Sequence, residues 1–176
     1  TGYVGLVSAA CFAEIGHEVV GVGIDEKKVE RLKNGECPIY EPGLPELLQK
    51  HLKDGKITFT TNLDEGIHDC AVIMAAGGTP IGQGRRADLS QVERVCRTIG
   101  QHCNDERILV IKSTVPTGTS KKCQVWVEEE MEKRGVNHQI HLVSNPEFLR
   151  EGKAVTDFLE PDRIVVGFRD QKAGKA

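Results

Sequence analysis

Short β-branched runs alternate with amphipathic stretches along the whole chain, and this rhythm constrains the fold more than any other feature of the sequence. Strands that run parallel need a crossover between them, and a helix is the usual solution. The alternation therefore predicts an α/β protein with a mostly parallel sheet and helices on both faces. The strand candidates are Glu18 to Ile24, Ile57 to Thr60, Cys70 to Ala75, Ile108 to Ile111, Ile140 to Val143 and Ile164 to Val166. Between them Leu44, Leu47, Leu48 and Leu52 recur at helical spacing, as do Val92, Val95, Cys96, Ile99 and Cys103, the latter opened by a capping box of Ser90 and Glu93. Cys123, Trp126, Val127 and Met131 form a third stripe after the Pro116-Thr117-Gly118 turn. Each stripe reads as a core face. A chain of 176 residues with 39% hydrophobic content accommodates one such domain, expected over residues 1–168, with the polar stretch 169–176 as a tail or the start of a connection.

Charge narrows the partners. The net charge is -3, and the Lys and Arg residues are interspersed with Asp and Glu rather than clustered, so there is no basic field for nucleic acid. No apolar run approaches the roughly 18 residues that span a bilayer, which argues against a membrane partner and for a cytoplasmic protein. The six cysteines contain no C-x-x-C pair, and His138 and His141 would point to opposite faces of a strand, so no metal site is expected.

The chain opens Thr1-Gly2-Tyr3-Val4-Gly5, which looks like the latter part of a G-x-G-x-x-G fingerprint whose first glycine would precede Thr1. In that motif one glycine lets the backbone approach a pyrophosphate and the next lets the helix pack closely on its strand, roles open here to Gly2 and Gly5. The small residues Ala9, Ala10 and Ala13 suit such packing, although a plain helix-opening turn would also use these glycines. About twenty residues on, an acid that receives the adenosine ribose hydroxyls is expected at a strand end. Gly23 stands at that position, and Asp25 is a substitute candidate or the cap of a helix beginning near Glu26. Taken together these features predict a Rossmann-type doubly wound fold whose first strand is missing from the chain. That strand would lie between the runs near Val19 to Val22 and Ala71 to Met74. If the remaining elements keep the arrangement of such a fold, a gap between those two, or a distortion that closes it, is expected, and the chain alone is expected to be unstable and to bind NAD poorly.

Six ordered blocks carry a closer likeness. They are Gly2-Tyr3-Val4-Gly5-Leu6, Tyr40-Glu41-Pro42-Gly43-Leu44, Gly78-Thr79-Pro80, Ala87-Asp88-Leu89, Lys112 to Thr119 and Asn145 to Gly152. In this order the sequence resembles the UDP-glucose and GDP-mannose dehydrogenase family over essentially its whole length. The last block, followed by Pro161-Asp162-Arg163-Ile164-Val165-Val166-Gly167, is most similar to the UDP-glucose branch, with GDP-mannose as the alternative sugar.

The resemblance implies a four-electron, NAD-dependent oxidation of a nucleotide sugar, UDP-glucose to UDP-glucuronate, through an aldehyde captured by a cysteine and a thioester that water hydrolyses. It implies Glu147 as the acid/base of the hydrolytic step and Thr114 as a holder of water. Gly2, Tyr3, Val4, Gly5, Asp25, Lys28, Thr79, Ser113 and Glu151 would bind the cofactor. Phe148, Leu149, Arg150 and Glu151 would line the sugar nucleotide. A homo-oligomeric parent enzyme is also implied. The blander reading of the Glu147 block is a capped strand-to-helix loop.

Three departures stand out: Gly23 in place of the ribose acid, Gly77 where a larger apolar residue is usual, and Gln83-Gly84-Arg85-Arg86 in place of a turn with Asp-Gly. The family's nucleophilic cysteine follows a glycine-rich segment downstream, and none of the six cysteines here sits in one. The chain is therefore expected not to oxidise the sugar by itself. Readings of another class are a nucleotide-binding module without catalysis and a β-hydroxy-acid dehydrogenase, the latter disfavoured by the Asn145 to Gly152 block.

Overall fold

The computed structural model describes residues 1–80 and 87–168. The chain divides into two compact units. The first comprises 1–66 with 148–163, and the second 67–147 with 164–176, of which 164–168 are described.

In the first unit, α1 (Tyr3–Glu14) leads to β1 (Val19–Val22), α2 (Glu26–Lys33), α3 (Leu44–Lys53), β2 (Ile57–Thr60) and α4 (Leu63–Ile67), whose last residue belongs to the second unit; α7 (Ala154–Leu159) returns to the first near its end. β1 and β2 pair in parallel, Val19 opposite Ile57 through Val22 opposite Thr60. The strand expected from Glu18 to Ile24 is shorter, because Ile24 is 89% exposed and Asp25 turns the chain into α2. The core gathers Leu6, Val7, Ala10 and Cys11 of α1 with Val29 and Leu32 of α2, Leu44 and Leu48 of α3, Ile57 and Phe59 of β2 and Ala154 of α7. The leucine stripe of α3 faces inward as its spacing predicted, with Leu47 and Leu52 half-buried at the margin.

The second unit holds β3 (Val72–Ala75), α5 (Ser90–His102), β4 (Arg107–Ile111), α6 (Thr119–Lys133), β5 (Ile140–Ser144) and β6 (Gly167–Phe168). The order is β3-β4-β5-β6, with the first three strands parallel and β6 antiparallel to β5. Val92, Cys96 and Ile99 of α5, its C-cap Cys103, and Cys123, Val127 and Met131 of α6 are buried, while Val95 and Trp126 are only half-buried.

Two local expectations are corrected. Ser90 and Glu93 form no capping box: Ser90 is already the first helical residue and its N–H is accepted by Asp88 Oδ1 at 2.9 Å, two residues upstream, while Glu93 pairs with Arg97 one turn on. Leu89 rather than Ser90 stands at the N-cap, so the Ser90 side chain is not placed to cap the helix. The run Ile164 to Val166 is not a strand. Its residues are exposed, the Val165 carbonyl accepts Asn145 Nδ2 at 2.9 Å instead of a ladder partner, and pairing begins only at Gly167.

Among the described residues no helix is long and apolar enough to cross a membrane, and no group of three or more His, Cys, Asp or Glu is placed to hold a metal ion.

A charged network joins α5 to α6. The buried Glu130 carboxylate accepts Lys133 Nζ at 2.7 Å, Gln101 Nε2 at 2.9 Å and Arg97 Nη1 at 3.0 Å, and these bonds hold its pKa down at about 2 against the opposing effect of burial. A carboxyl whose folded value lies below its unfolded value of about 4.3 stabilises the fold above that pH and loses this contribution as pH falls through the folded value. The thermal midpoint is accordingly expected to fall between about pH 4 and pH 2, and Glu130→Gln to flatten that acid limb. Calorimetry across this range checks it.

Candidate functional site

In the first unit the glycine loop becomes the start of α1. Gly2 is the N-cap, extended at φ -73° and ψ -177°, and no side chain caps the helix. The first-turn N–H groups that follow Gly2, those of Tyr3, Val4 and Gly5, lack acceptors within the helix, the arrangement that receives a phosphate. Gly2 is exposed and presents no side chain, so the loop fits the pyrophosphate of a dinucleotide.

Asp25 follows β1 and caps α2, its Oδ1 accepting the Lys28 N–H at 3.0 Å, so the capping reading is borne out. Lys28 is half-buried in the first turn of α2. Gly23 is buried, and its N–H bonds the Thr60 carbonyl at 3.1 Å. A Cβ at position 23 would press on the Thr1 side chain, with Cγ2 at 2.9 Å and Cβ at 3.1 Å, so an aspartate there needs Thr1 to turn aside. That rearrangement involves a short side chain, whereas two charged hydrogen bonds to a ribose contribute more. Gly23→Asp in the full-length enzyme is therefore expected to tighten NAD about tenfold. Titration calorimetry checks it, and an unchanged affinity would show that position 23 is not at the ribose.

The Tyr3 hydroxyl donates to Glu41 Oε2 at 2.5 Å, and burial together with that carboxylate pushes the phenol above its ordinary pKa. Glu151, exposed, adds to this shift and so stands near the loop. Phe148 is exposed, with the Arg163 guanidinium 5.4 Å from its ring centroid, and Leu149 packs on the core. Arg150 grips Asp157 through Nη2 at 2.6 Å and Nε at 3.0 Å.

In the second unit, the carboxyl ends of β3, β4 and β5 converge. Ser113 Oγ donates to the Gly77 carbonyl at 2.5 Å, and Thr79 Oγ1 to the Thr114 carbonyl at 3.1 Å, tying the segments after β3 and β4 together. Asn145, just past β5, receives Lys112 Nζ on its Oδ1 at 3.1 Å and bonds back to the Ile111 carbonyl through its N–H at 2.9 Å. Lys112 is 7% exposed; burial lowers its pKa and the negative charge of Glu147 opposes that shift. Glu147 is half-buried and Thr114 exposed. Residues Gln83 to Arg86 lie outside the described residues.

Lys112, Asn145 and Glu41 were not singled out from the sequence. All three lie within the family blocks, which was the available signal, but the blocks assigned them no role.

The whole chain, residues 1–176, matches the family model for the UDP-glucose/GDP-mannose dehydrogenase family, NAD binding domain. It is 47% identical over 173 residues to the UDP-glucose 6-dehydrogenase TuaD of Bacillus subtilis, an alignment that covers 98% of this chain and 37% of that protein. The solved UDP-glucose dehydrogenase of Pyrobaculum islandicum superposes with a TM-score of 0.90 at 40% identity, over 99% of this chain and 40% of that one. A GDP-mannose dehydrogenase from Pseudomonas aeruginosa, solved as a ternary complex, superposes at 0.92 with 34% identity, over 99% and 41%. The chain thus spans about two fifths of the length of these relatives. Its parallel ladders, its glycine-led first helix and this likeness agree: the chain belongs to the UDP-glucose/GDP-mannose dehydrogenase family and carries the family's NAD-binding domain.

Proposed function

We propose that the chain is the cofactor-binding portion of a cytoplasmic, homo-oligomeric enzyme that oxidises the C6 hydroxyl of UDP-glucose to the carboxylate of UDP-glucuronate. The observation that carries this reading is the gathering of Thr79, Ser113, Thr114 and Glu147 beyond the carboxyl ends of three adjacent parallel strands, where doubly wound folds hold their ligands. NAD, when bound, supplies the hydride acceptor for both oxidations. Gly2, Tyr3, Val4 and Gly5 would hold its pyrophosphate on the uncapped start of α1, and Asp25 and Lys28 its adenosine end. Ser113 and Thr79, whose hydroxyls fix the loops around them, would contact the dinucleotide.

Glu147 is the base of the hydrolytic step: its carboxylate would take a proton from the water that Thr114 helps to hold. Lys112 and Asn145 support it from the strand ends below. Phe148, Leu149, Arg150 and Glu151 would line the sugar nucleotide, and the remainder of the enzyme would supply the nucleophilic cysteine.

GDP-mannose is the second reading, favoured by the 34% identity and 0.92 TM-score to a GDP-mannose dehydrogenase. Assay of the full-length enzyme with each nucleotide sugar decides between them. UDP-glucose is expected to be favoured in kcat/KM by about a hundredfold, with two NADH formed per sugar. A preference for GDP-mannose would install the second reading. NAD binding with neither sugar oxidised would leave a module without catalysis.

A further inference from the structure

Glu41 is 1% exposed, and the groups bonded to it are neutral. Its Oε2 receives the Tyr3 hydroxyl at 2.5 Å and the Gly152 N–H at 2.8 Å; its Oε1 receives the Ala154 N–H at 2.8 Å, and Val155 N–H contributes as well. Burial raises the carboxyl's pKa, but these donors more than offset it and hold the group below the ordinary carboxylate range. A carboxylate removed from water is costly to keep, and an apolar side chain of similar size would fill the space at less cost. What an apolar side chain cannot do is accept four donors from two remote segments. Tyr3 lies 38 positions upstream in the glycine loop, and Gly152 and Ala154 lie 111 and 113 positions downstream, directly after Glu151. Gly152 is left-handed at φ 83°, so the chain reverses where the carboxylate grips it.

We infer that Glu41 is a positioning residue of the first unit, a clamp that sets the dinucleotide loop at Tyr3 and the Phe148–Glu151 segment in one fixed geometry. This rests on the reading of those two segments as the NAD and nucleotide-sugar contacts. The clamp acts through Tyr3 on one side and through the Gly152 and Ala154 N–H groups on the other. It thereby fixes where Glu151 and the first turn of α1 stand before either ligand arrives, so that their binding need not order these loops.

The test uses the full-length enzyme. Glu41→Gln keeps the shape but turns one acceptor into a donor facing other donors. At a temperature well below its unfolding transition it is expected to raise the Kd of both NAD and the nucleotide sugar about tenfold or more. Tyr3→Phe, a second variant that leaves both backbone bonds in place, is expected to weaken NAD and also to speed amide exchange at Gly152 and Ala154. A residue that only stabilises packing would lower the melting temperature and move neither quantity. Folded Glu41→Gln with wild-type Kd for both ligands overturns the clamp. If that variant does not fold, Tyr3→Phe with unchanged Kd and unchanged exchange at Gly152 and Ala154 overturns it. Should the wild-type enzyme bind neither ligand, the functional reading fails instead, and the exchange at Gly152 and Ala154 in Tyr3→Phe still decides whether the clamp exists.

Discussion

In the full-length enzyme, Glu147→Gln is expected to complete the oxidation of its first sugar and then stall with the acyl group bound to the enzyme's cysteine. The carboxamide has the carboxylate's shape but cannot accept the proton of the attacking water. Hydrolysis should therefore slow by about 10²–10⁴-fold while the preceding steps persist. The residue sits just past β5, close enough to the buried Lys112 for its charge to oppose the lowering of that lysine's pKa by burial. Intact-protein mass spectrometry should show the added mass, and the NADH trace a burst without steady turnover. Wild-type turnover with no adduct would remove Glu147 from the mechanism.

The second large effect concerns folding. Gly100 lies in the last turn of α5, where a Cβ would come within 2.5 Å of the Val127 carbonyl oxygen and 2.9 Å of Glu130 Cβ on α6. A side chain normally helps a helix by about 1 kcal/mol relative to glycine. Here the obstacle is backbone, which cannot turn aside, so the helices must separate and overpacking wins. Separation also strains the grip of Arg134 on the Gly100 and Cys103 carbonyls, at 2.8 and 2.9 Å. Gly100→Val is expected to destabilise by about 3 kcal/mol or more, and Gly100→Ala by about 1–2 kcal/mol, which lowers the melting temperature by roughly 3–8 °C. An unchanged or higher midpoint for the alanine variant would mean that α5 and α6 do not approach so closely.

Local features were readable because their partners are local. The stripe Val92, Val95, Cys96, Ile99 and Cys103 needed only helical spacing; four of its residues are buried as expected and Val95 is half-buried. Asp25 lies three residues from the N–H it caps. The Ser90 and Glu93 box failed for an equally local reason: the helix already begins at Ser90, whose N–H is taken by Asp88, and Leu89 is its N-cap. Ile164 to Val166 misled because β-branched residues favour extended backbone whether or not a neighbour is there to pair with it; only Gly167 and Phe168 meet β5. In the candidate site, Ser113, Thr114 and Glu147 were named through family blocks and the glycine loop through its fingerprint, none of them through periodicity. Glu41 and Lys112 were not legible as contacts: their bonds reach residues 33 to 113 positions away, and a pattern read along the chain says nothing about those distances.

Whether the glycine loop and the strand-end hydroxyls of this domain hold NAD is decided by hydrogen exchange on the full-length enzyme, read with and without NAD. Slower exchange is expected in peptides covering residues 2–6 and in those covering 77–80 and 112–114 when NAD is present. Exchange that stays the same in all of these segments under saturating NAD, or protection confined to other parts of the chain, would show that the loop and these hydroxyls do not hold it.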